Sequence, residues 1–268
     1  MTTTSAAQAF AALHDPAAPL RLANAWDVAS ARIVEAAGAP AVATTSAGVA
    51  WSLGSPDGDV LGRERAVDLV RRVVAAVGVP VSADIEGGFG ADPDGVAGTV
   101  AAVVRAGAAG INIEDGPRDP ADQAERLAAA RAAAGPELYV NARIDTYLFG
   151  LGEPGPARLD ETLRRAEAYL AAGASGIFVP GTTDPAVVAE LAKGIPAPLN
   201  VLVGPGAPSV SELGALGVAR VSLGSSVAEA AYAVARRAAA ELLSSGTYGA
   251  VADGLEYRDL NALLRGDA

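Results

Sequence analysis

Four times along the 268-residue chain an alanine-rich, helix-like run ends in glycine, and a short apolar run begins within a few residues. The repeats are Glu35-Ala-Ala-Gly-Ala-Pro-Ala-Val, Arg105-Ala-Gly-Ala-Ala-Gly-Ile, Ala171-Ala-Gly-Ala-Ser-Gly-Ile-Phe and Ala215-Leu-Gly-Val-Ala-Arg-Val. Glycine just past a last helical turn supplies the left-handed cap, and the strand starts at once. These are βα units in series. Strands are expected near residues 20–25, 41–47, 79–85, 109–114, 138–144, 176–180, 198–203 and 218–223. Seven helical segments are expected between them, and an eighth over 225–245. Eight such units predict an α/β fold of the closed parallel kind, a (β/α)8 TIM barrel. The strands lack clean alternation, as expected when both faces are covered. A doubly wound open sheet is the competing architecture, but no Gly-x-Gly-x-x-Gly follows the first strand. No linker divides the chain, so one domain over 1–268 is expected, with the barrel over about 20–245. A C-terminal segment over 247–268 carries an amphipathic stretch at 255–264, suited to packing on the barrel or on a neighbouring subunit.

In a parallel barrel the strand ends deliver chemistry to one rim. Three consecutive strands here finish in charge. The run Val79 to Gly90 carries Asp84 and Glu86 at i, i+2, which puts both acids on one side of a strand. The next run ends in Glu114 and Asp115, and the one after it in Asn141, Arg143 and Asp145. Anions aimed one way need a cation, and hard oxygen ligands suit Mg2+. Strand one ends in Asn24-Ala25-Trp26-Asp27, and strand two in Thr44-Thr45-Ser46-Ala47-Gly48, whose hydroxyls and amides could hold a carboxylate or phosphate. A polar segment, Trp51 to Gly62, contains Asp57 and Asp59 and has the length of a lid over the barrel mouth.

Composition narrows the chemistry. A net charge of -11 with no basic block argues against nucleic acid or an anionic membrane as partner. With no cysteine, one histidine (His14) and one lysine (Lys193), disulfides, thiol chemistry and a His- or Cys-rich zinc site are excluded. Catalysis is left to carboxylates, hydroxyls, Arg, Asn, Tyr, backbone amides and a metal. Residues 1–13 lack the basic region and apolar stretch of a secretory signal, and the uncharged stretches 36–56 and 194–211 are interrupted by proline, so a cytoplasmic protein is expected.

Taken together, Asn-x-Trp-Asp, Thr-Ser-Ala-Gly, Leu-Gly-Ser-Pro-Asp, Ala-Asp-Ile-Glu-Gly-Gly-Phe-Gly, Ile-Asn-Ile-Glu-Asp and Asn-Ala-Arg-Ile-Asp resemble, in order and spacing over about residues 20–225, the isocitrate lyase and phosphoenolpyruvate mutase superfamily. The resemblance implies a magnesium-dependent barrel, with Mn2+ as the alternative ion, acting on a small anionic 2-oxo or 2-hydroxy carboxylate through an enolate-like intermediate. It also implies a homodimer or homotetramer that exchanges a C-terminal helix. Carried over, Asp84 matches the principal metal-contacting Asp, Glu86 stands where a second Asp is usual, and Glu114 matches the acid that reaches the metal through water. Asp57 matches the loop acid that closes near substrate, and Arg143 the Arg that stabilises developing charge. The carboxylate-binding turn corresponds to Ser46, Ala47 and Gly48, with Thr45 and Trp26 beside it and Asn200 on strand seven as further substrate contacts.

The chain departs from that pattern where members of the superfamily it resembles carry Lys-Lys-Cys-Gly-His or Lys-x-Asn-Ser. Glu114-Asp115-Gly116 runs directly into Pro117-Arg118-Asp119-Pro120, and strand six ends in Phe178-Val179-Pro180-Gly181. Carbon-carbon lyase chemistry is the expectation. The alternatives are a phosphonopyruvate mutase or carbon-phosphorus hydrolase, and a catalytically inactive metabolite-binding scaffold.

Overall fold

The computed structural model describes residues 5–136 and 138–266. The first four residues of the N-terminal stretch and the last two of the C-terminal segment lie outside that description. Eight parallel strands alternate with helices among the described residues: β1 (Leu20–Leu22), β2 (Val42–Ala43), β3 (Val81–Asp84), β4 (Gly110–Glu114), β5 (Tyr139–Arg143), β6 (Gly176–Val179), β7 (Leu199–Leu202) and β8 (Val218–Ser222). Hydrogen bonding runs β1-β8-β7-β6-β5-β4-β3-β2. The ring is completed by a parallel bridge between Ala25 and Thr44, just beyond β1 and β2. The chain is the (β/α)8 barrel that its punctuation predicts. All four capping glycines have left-handed backbones, with φ of 90° at Gly38, 93° at Gly107, 105° at Gly173 and 100° at Gly217.

The helices are α1 (Ala6–Ala12), α2 (Val28–Ala36), α3 (Ser46–Ser52), α4 (Arg63–Ala76), α5 (Pro93–Arg105), α6 (Pro120–Ala134), α7 (Pro156–Ala171), α8 (Pro185–Gly194), α9 (Val210–Ala215), α10 (Ser226–Ser245) and α11 (Tyr257–Arg265). Several begin where a side chain can cap them: Asp92, Asp119 and Asp184 accept from first-turn amides, each followed by proline at the first helical position. The main core lies between strands and helices, with Val100, Ile111, Leu127, Val140, Ile177 and Leu191 without solvent exposure. Each such side chain contributes about 1.5–3 kcal/mol relative to an exposed one.

Two elements differ from the sequence reading, and the C-terminal stretch takes one of the two placements expected of it, packing on the barrel. The hydroxyl run at 44–48 is not a turn: Thr45 is the N-cap of α3, which places two helices between β2 and β3. Helix α1, which the periodicity did not reveal, lies against the start of β5, and its Phe10 is fully buried beneath the barrel. There is no room for a side chain at Gly110, where a Cβ would sit 2.8 Å from the Phe10 ring. Finally, α11 folds back on α2, with the Arg32 guanidinium donating to the Leu263 carbonyl at 2.9 and 3.1 Å. No helix among the described residues is long and apolar enough to cross a membrane.

Candidate active site

At the ends of the strands a cavity of about 200 Å3 opens over the barrel mouth. Its lining brings together Asp57, Asp84, Asn112 and Arg143, the apolar Leu148, Phe178, Pro180 and Leu202, and Asn24, Ser222, Gly224 and Ser225 from the ends of the first and last strands and the start of α10. Thr45, Ser46 and Ala47 close the wall contributed by the start of α3.

Asp84 is the last residue of β3. Its amide donates to Thr44 Oγ1 at 2.8 Å, and its Oδ1 accepts from the Glu86 amide at 3.1 Å. Burial, opposed chiefly by Arg143, pushes its carboxyl up to about 6. The Asn112 side chain also bonds to it. Asn112 is itself fixed, its Oδ1 accepting from Asn141 Nδ2 at 2.8 Å and Arg220 Nη2 at 3.3 Å. With the oxygen occupied, the amide nitrogen is the end left for Asp84.

Arg143 ends β5 and makes two ion pairs, to Glu114 Oε2 at 2.6 Å and Asp145 Oδ1 at 2.7 Å. Burial works against its charge, but Glu114, Asp145 and Asp84 outweigh burial and hold its pKa above the ordinary value. Glu114 is pushed up to about 8, burial and the neighbouring acids outweighing Arg143. Behind this pair stands a buried frame. Asp115 accepts from Arg165 Nη1 at 2.7 Å, the Tyr169 hydroxyl at 2.8 Å and the Asp145 amide at 2.9 Å. Asp115 and Asp145, both strand-end acids in sequence, therefore hold Arg143 in place and do not line the cavity.

Glu86 takes a different course. Its backbone is left-handed, with φ of 53°, and its carboxylate turns to the loop after α3. Oε2 accepts from the Gly58 amide at 2.8 Å and from the Asp59 amide. Asp59 Oδ1 in turn accepts from the Phe89 amide at 3.1 Å, and Arg118 reaches Asp59 at 3.5 Å. Glu86 thus fastens a loop over the rim, and burial pushes its carboxyl up to about 7. Arg118 also donates to the Glu114 and Asp115 carbonyls.

Of the residues singled out by sequence, Asp57, Asp84, Arg143, Thr45, Ser46 and Ala47 meet at the cavity. Glu114 touches it only through Arg143, and Glu86 stands outside because its extra methylene and left-handed backbone carry it to the loop amides. Trp26 packs against Gly48, where a Cβ would lie 2.8 Å from Trp26 Cβ, so neither reaches the cavity. Asn200 lies in the barrel interior, 3.5 Å from Ser222 Oγ. Asn112 was not among the sequence candidates. Its signal is its place two residues before Glu114, on the same side of β4.

A divalent cation fits the donor set. Among the described residues no Arg or Lys lies within 4.0 Å of the Asp84 carboxylate, although Asp57 shares its cavity. A buried carboxylate with only N–H partners is a hard oxygen ligand lacking a counter-charge. The same residues do not form a closed cage: no group of three or more His, Cys, Asp or Glu among the described residues is close enough together to hold a metal by itself. That leaves substrate oxygens and water to complete the coordination, the usual habit of Mg2+.

The chain is similar to several known proteins over most of its length. The sequence model of the family described as phosphoenolpyruvate phosphomutase matches residues 10–243. An uncharacterized protein of Mycobacterium tuberculosis (strain H37Rv) is 43% identical over 217 residues, 80% of each chain. The 2-methylisocitrate lyase of Escherichia coli (strain K12) is 30% identical over 214 residues, covering 74% of this chain and 70% of the lyase. Among solved structures, a phosphonopyruvate hydrolase in complex with oxalate and Mg2+ superposes with a TM-score of 0.82 at 26% identity, covering 98% of this chain and 95% of the other.

Proposed function

Because the chain belongs to the phosphoenolpyruvate phosphomutase family, within the isocitrate lyase and phosphoenolpyruvate mutase superfamily, we propose that it is a magnesium-dependent carbon-carbon lyase acting on a small 2-oxo or 2-hydroxy carboxylate. One observation carries the reading: an unneutralised Asp84 shares with Arg143 a cavity of only about 200 Å3. Anionic and cationic features are thereby offered to the two ends of one small acid. The lyase relative supports carbon-carbon chemistry, and the hydrolase complex with oxalate and Mg2+ supports the metal.

On this reading Asp84 holds Mg2+ or Mn2+, with Glu114 and Glu86 able to join through water. The bound ion supplies Lewis-acid polarisation of the substrate oxygen at carbon two. The protein does the rest. Arg143, kept cationic by Glu114 and Asp145, stabilises the negative charge that develops on that oxygen, as a preorganised donor in a dry site does. Thr45 and Ser46 orient the substrate carboxylate from the α3 wall. In a 2-oxo acid with a hydroxyl on carbon four, Asp57 takes that hydroxyl's proton as the bond between carbons three and four breaks, and returns it to carbon three of the enolate. In a 2-hydroxy acid it takes the carbon-two hydroxyl proton as the bond between carbons two and three breaks, and a second carboxylate on carbon three receives the electron pair before the proton is returned there. The carbon-carbon electron pair ends in the new C–H bond, so one proton and one electron pair balance the cleavage. No cysteine is available for that last step, which makes the carboxylate the acid.

A cytoplasmic homodimer or homotetramer is part of the same proposal. Helix α10 leaves Leu242 58% and Leu243 86% exposed, which favours an apolar partner surface.

Calorimetry of oxalate, which mimics the adjacent oxygens of a pyruvate enolate, tests the reading. Oxalate should bind only with Mg2+ present, and Asp84→Asn should abolish that binding together with turnover. Turnover undiminished in metal-free buffer would remove the metal. Turnover of phosphonopyruvate with none of any carboxylic acid would move the assignment to phosphonate chemistry, and oxalate binding without turnover of any acid would make the barrel a metabolite-binding scaffold.

A further inference from the structure

Inside the barrel, beneath the cavity, lies a cation that the proposed chemistry leaves unused. Arg220 sits on β8, in register with Asn200 of β7 and Leu20 of β1, and has no solvent exposure. Among the described residues its Nε and Nη1 find no hydrogen-bond partner, while Nη2 donates to Asn112 Oδ1 at 3.3 Å. The Phe10 ring, centred 5.9 Å from Cζ, is a weak further partner. Tyr139 and Asp84 are the groups that favour its charge, and burial keeps the Tyr139 hydroxyl protonated, so Asp84 is the anion it answers to. A buried guanidinium with so few partners is costly, and such departures are kept where they serve a site.

The service is to the amide that Arg220 touches. Asn112 stands between Arg220 and Asp84, and its Oδ1 also accepts from Asn141 Nδ2 at 2.8 Å. Two facing carboxamides do not fix their own orientation. If both turned over, Asn112 Nδ2 would donate to Asn141 Oδ1 and the contact would survive. Asn141 would lose nothing, because its Oδ1 has no other partner among the described residues. Asn112 would then present its oxygen to Asp84, acceptor against acceptor. Arg220 breaks the tie: a guanidinium has five N–H donors and no acceptor, so the end of Asn112 that meets it has to be the oxygen. The nitrogen is thereby turned to Asp84. Acting across an intervening residue, Arg220 orients this donor without cancelling the negative charge that Asp84 offers to an ion.

We propose that Arg220 is a positioning residue for the cation site: it fixes the Asn112 carboxamide in the orientation that donates to Asp84, and so holds the Asp84 carboxylate toward the cavity. This rests on the reading of Asp84 as the holder of Mg2+, and it adds a residue of β8 that does not itself line the cavity.

Calorimetry of oxalate with Mg2+ tests it. Arg220→Met, which keeps an unbranched chain and removes every donor, should weaken Mg2+-dependent oxalate binding by about tenfold to hundredfold, the usual cost of losing a group that orients a metal ligand. Arg220→Lys, whose ammonium also only donates, should recover most of that loss. Asn112→Leu should weaken binding by a similar factor, and adding Arg220→Met to it should change the affinity by less than about twofold, because the amide to be oriented is already gone. General support of the barrel would not tell the two backgrounds apart. Losses that multiply in the double variant would therefore overturn the proposal, as would Arg220→Met binding oxalate and Mg2+ as tightly as the parent. Should Arg220→Met fail to fold, Arg220→Gln, which accepts as readily as it donates, carries the same comparison. Oxalate binding indifferent to Mg2+ in the unaltered protein would instead remove the underlying metal reading, so the two failures are distinguishable.

Discussion

At the lower rim, where the strands begin, His14 stacks on Tyr139 with ring centroids 4.0 Å apart, and Phe10 meets both rings edge-on at 4.9 and 5.5 Å. At the upper rim, where the strands end, Asp84 and Glu114 share the field of one Arg143, and Glu86 is held by the Gly58 and Asp59 amides. Both rims bury titratable groups, yet they resolve the cost differently. Below, burial pushes the imidazole of His14 down to about 4, so it stays neutral and packs as an aromatic wedge. Above, three carboxyls are pushed up to about 6, 7 and 8 and remain short of positive charge. The lower rim spends its buried groups on stability. The upper rim keeps a charge deficit that a cation and an anionic ligand can use together, which is the behaviour expected of a functional site.

The largest expected effect separates the rims by pH. The folded pKa of His14 lies near 4, below its ordinary 6.5, so between those values the unfolded chain takes up the proton first. Stability contributed by neutral His14 is complete above pH 6.5 and is lost as pH falls toward 4, by about 3 kcal/mol in total. Urea unfolding of His14→Gln at a series of pH values should lack that component when subtracted from the parent curve. Parallel curves over the interval would show that the lower rim does not discriminate between the two protonation states.

The upper rim should respond with the opposite sign. Asp84→Asn removes a part-buried carboxylate that has no ion-pair partner of its own, Arg143 being engaged by Glu114 and Asp145, and keeps its shape and hydrogen-bonding length. In metal-free buffer at pH 8 the variant should be more stable than the parent by about 2 kcal/mol, while no longer responding to Mg2+. Destabilisation by the same amount would mean that Asp84 is an ordinary structural acid, and the contrast between the rims would fail.

The barrel and half of its site were legible in sequence for one physical reason: they depend on local signals. A glycine after a helical turn and a charge after an apolar run are written in contiguous residues, and the cavity is lined by Asp57, Asp84 and Arg143, all strand-end or loop candidates. What escaped depends on distant neighbours. Helix α1 reads as a generic alanine-rich stretch until Phe10 is seen filling the space left by Gly110. The short α3 hides in a run of hydroxyl and small residues that reads equally well as a turn. Leu148 and Leu202 gave no signal in their own segments and join the cavity lining with Phe178 only once three successive units close on one another.

Glu86 is the sharpest instance, and it yields the smallest expected effect. By position it belongs with the metal-holding acids; by geometry it accepts two amides from Gly58 and Asp59, across 28 and 27 residues of sequence. Hydrogen bonds to a charged group contribute about 1.5–3 kcal/mol, and a half-exposed loop recovers part of that from water, so Glu86→Gln should cost about 1 kcal/mol. Amide exchange at Gly58 and Asp59 should then speed up by about fivefold to tenfold, with Mg2+ affinity changing far less than in Asp84→Asn. If Glu86→Gln instead weakened Mg2+ as much as Asp84→Asn and left the loop amides equally protected, the carboxylate would belong to the ion and not to the loop. The upper rim would then hold its charge deficit at two acids of one strand end, and the loop would owe its closure to Asp59, through the Phe89 amide and Arg118.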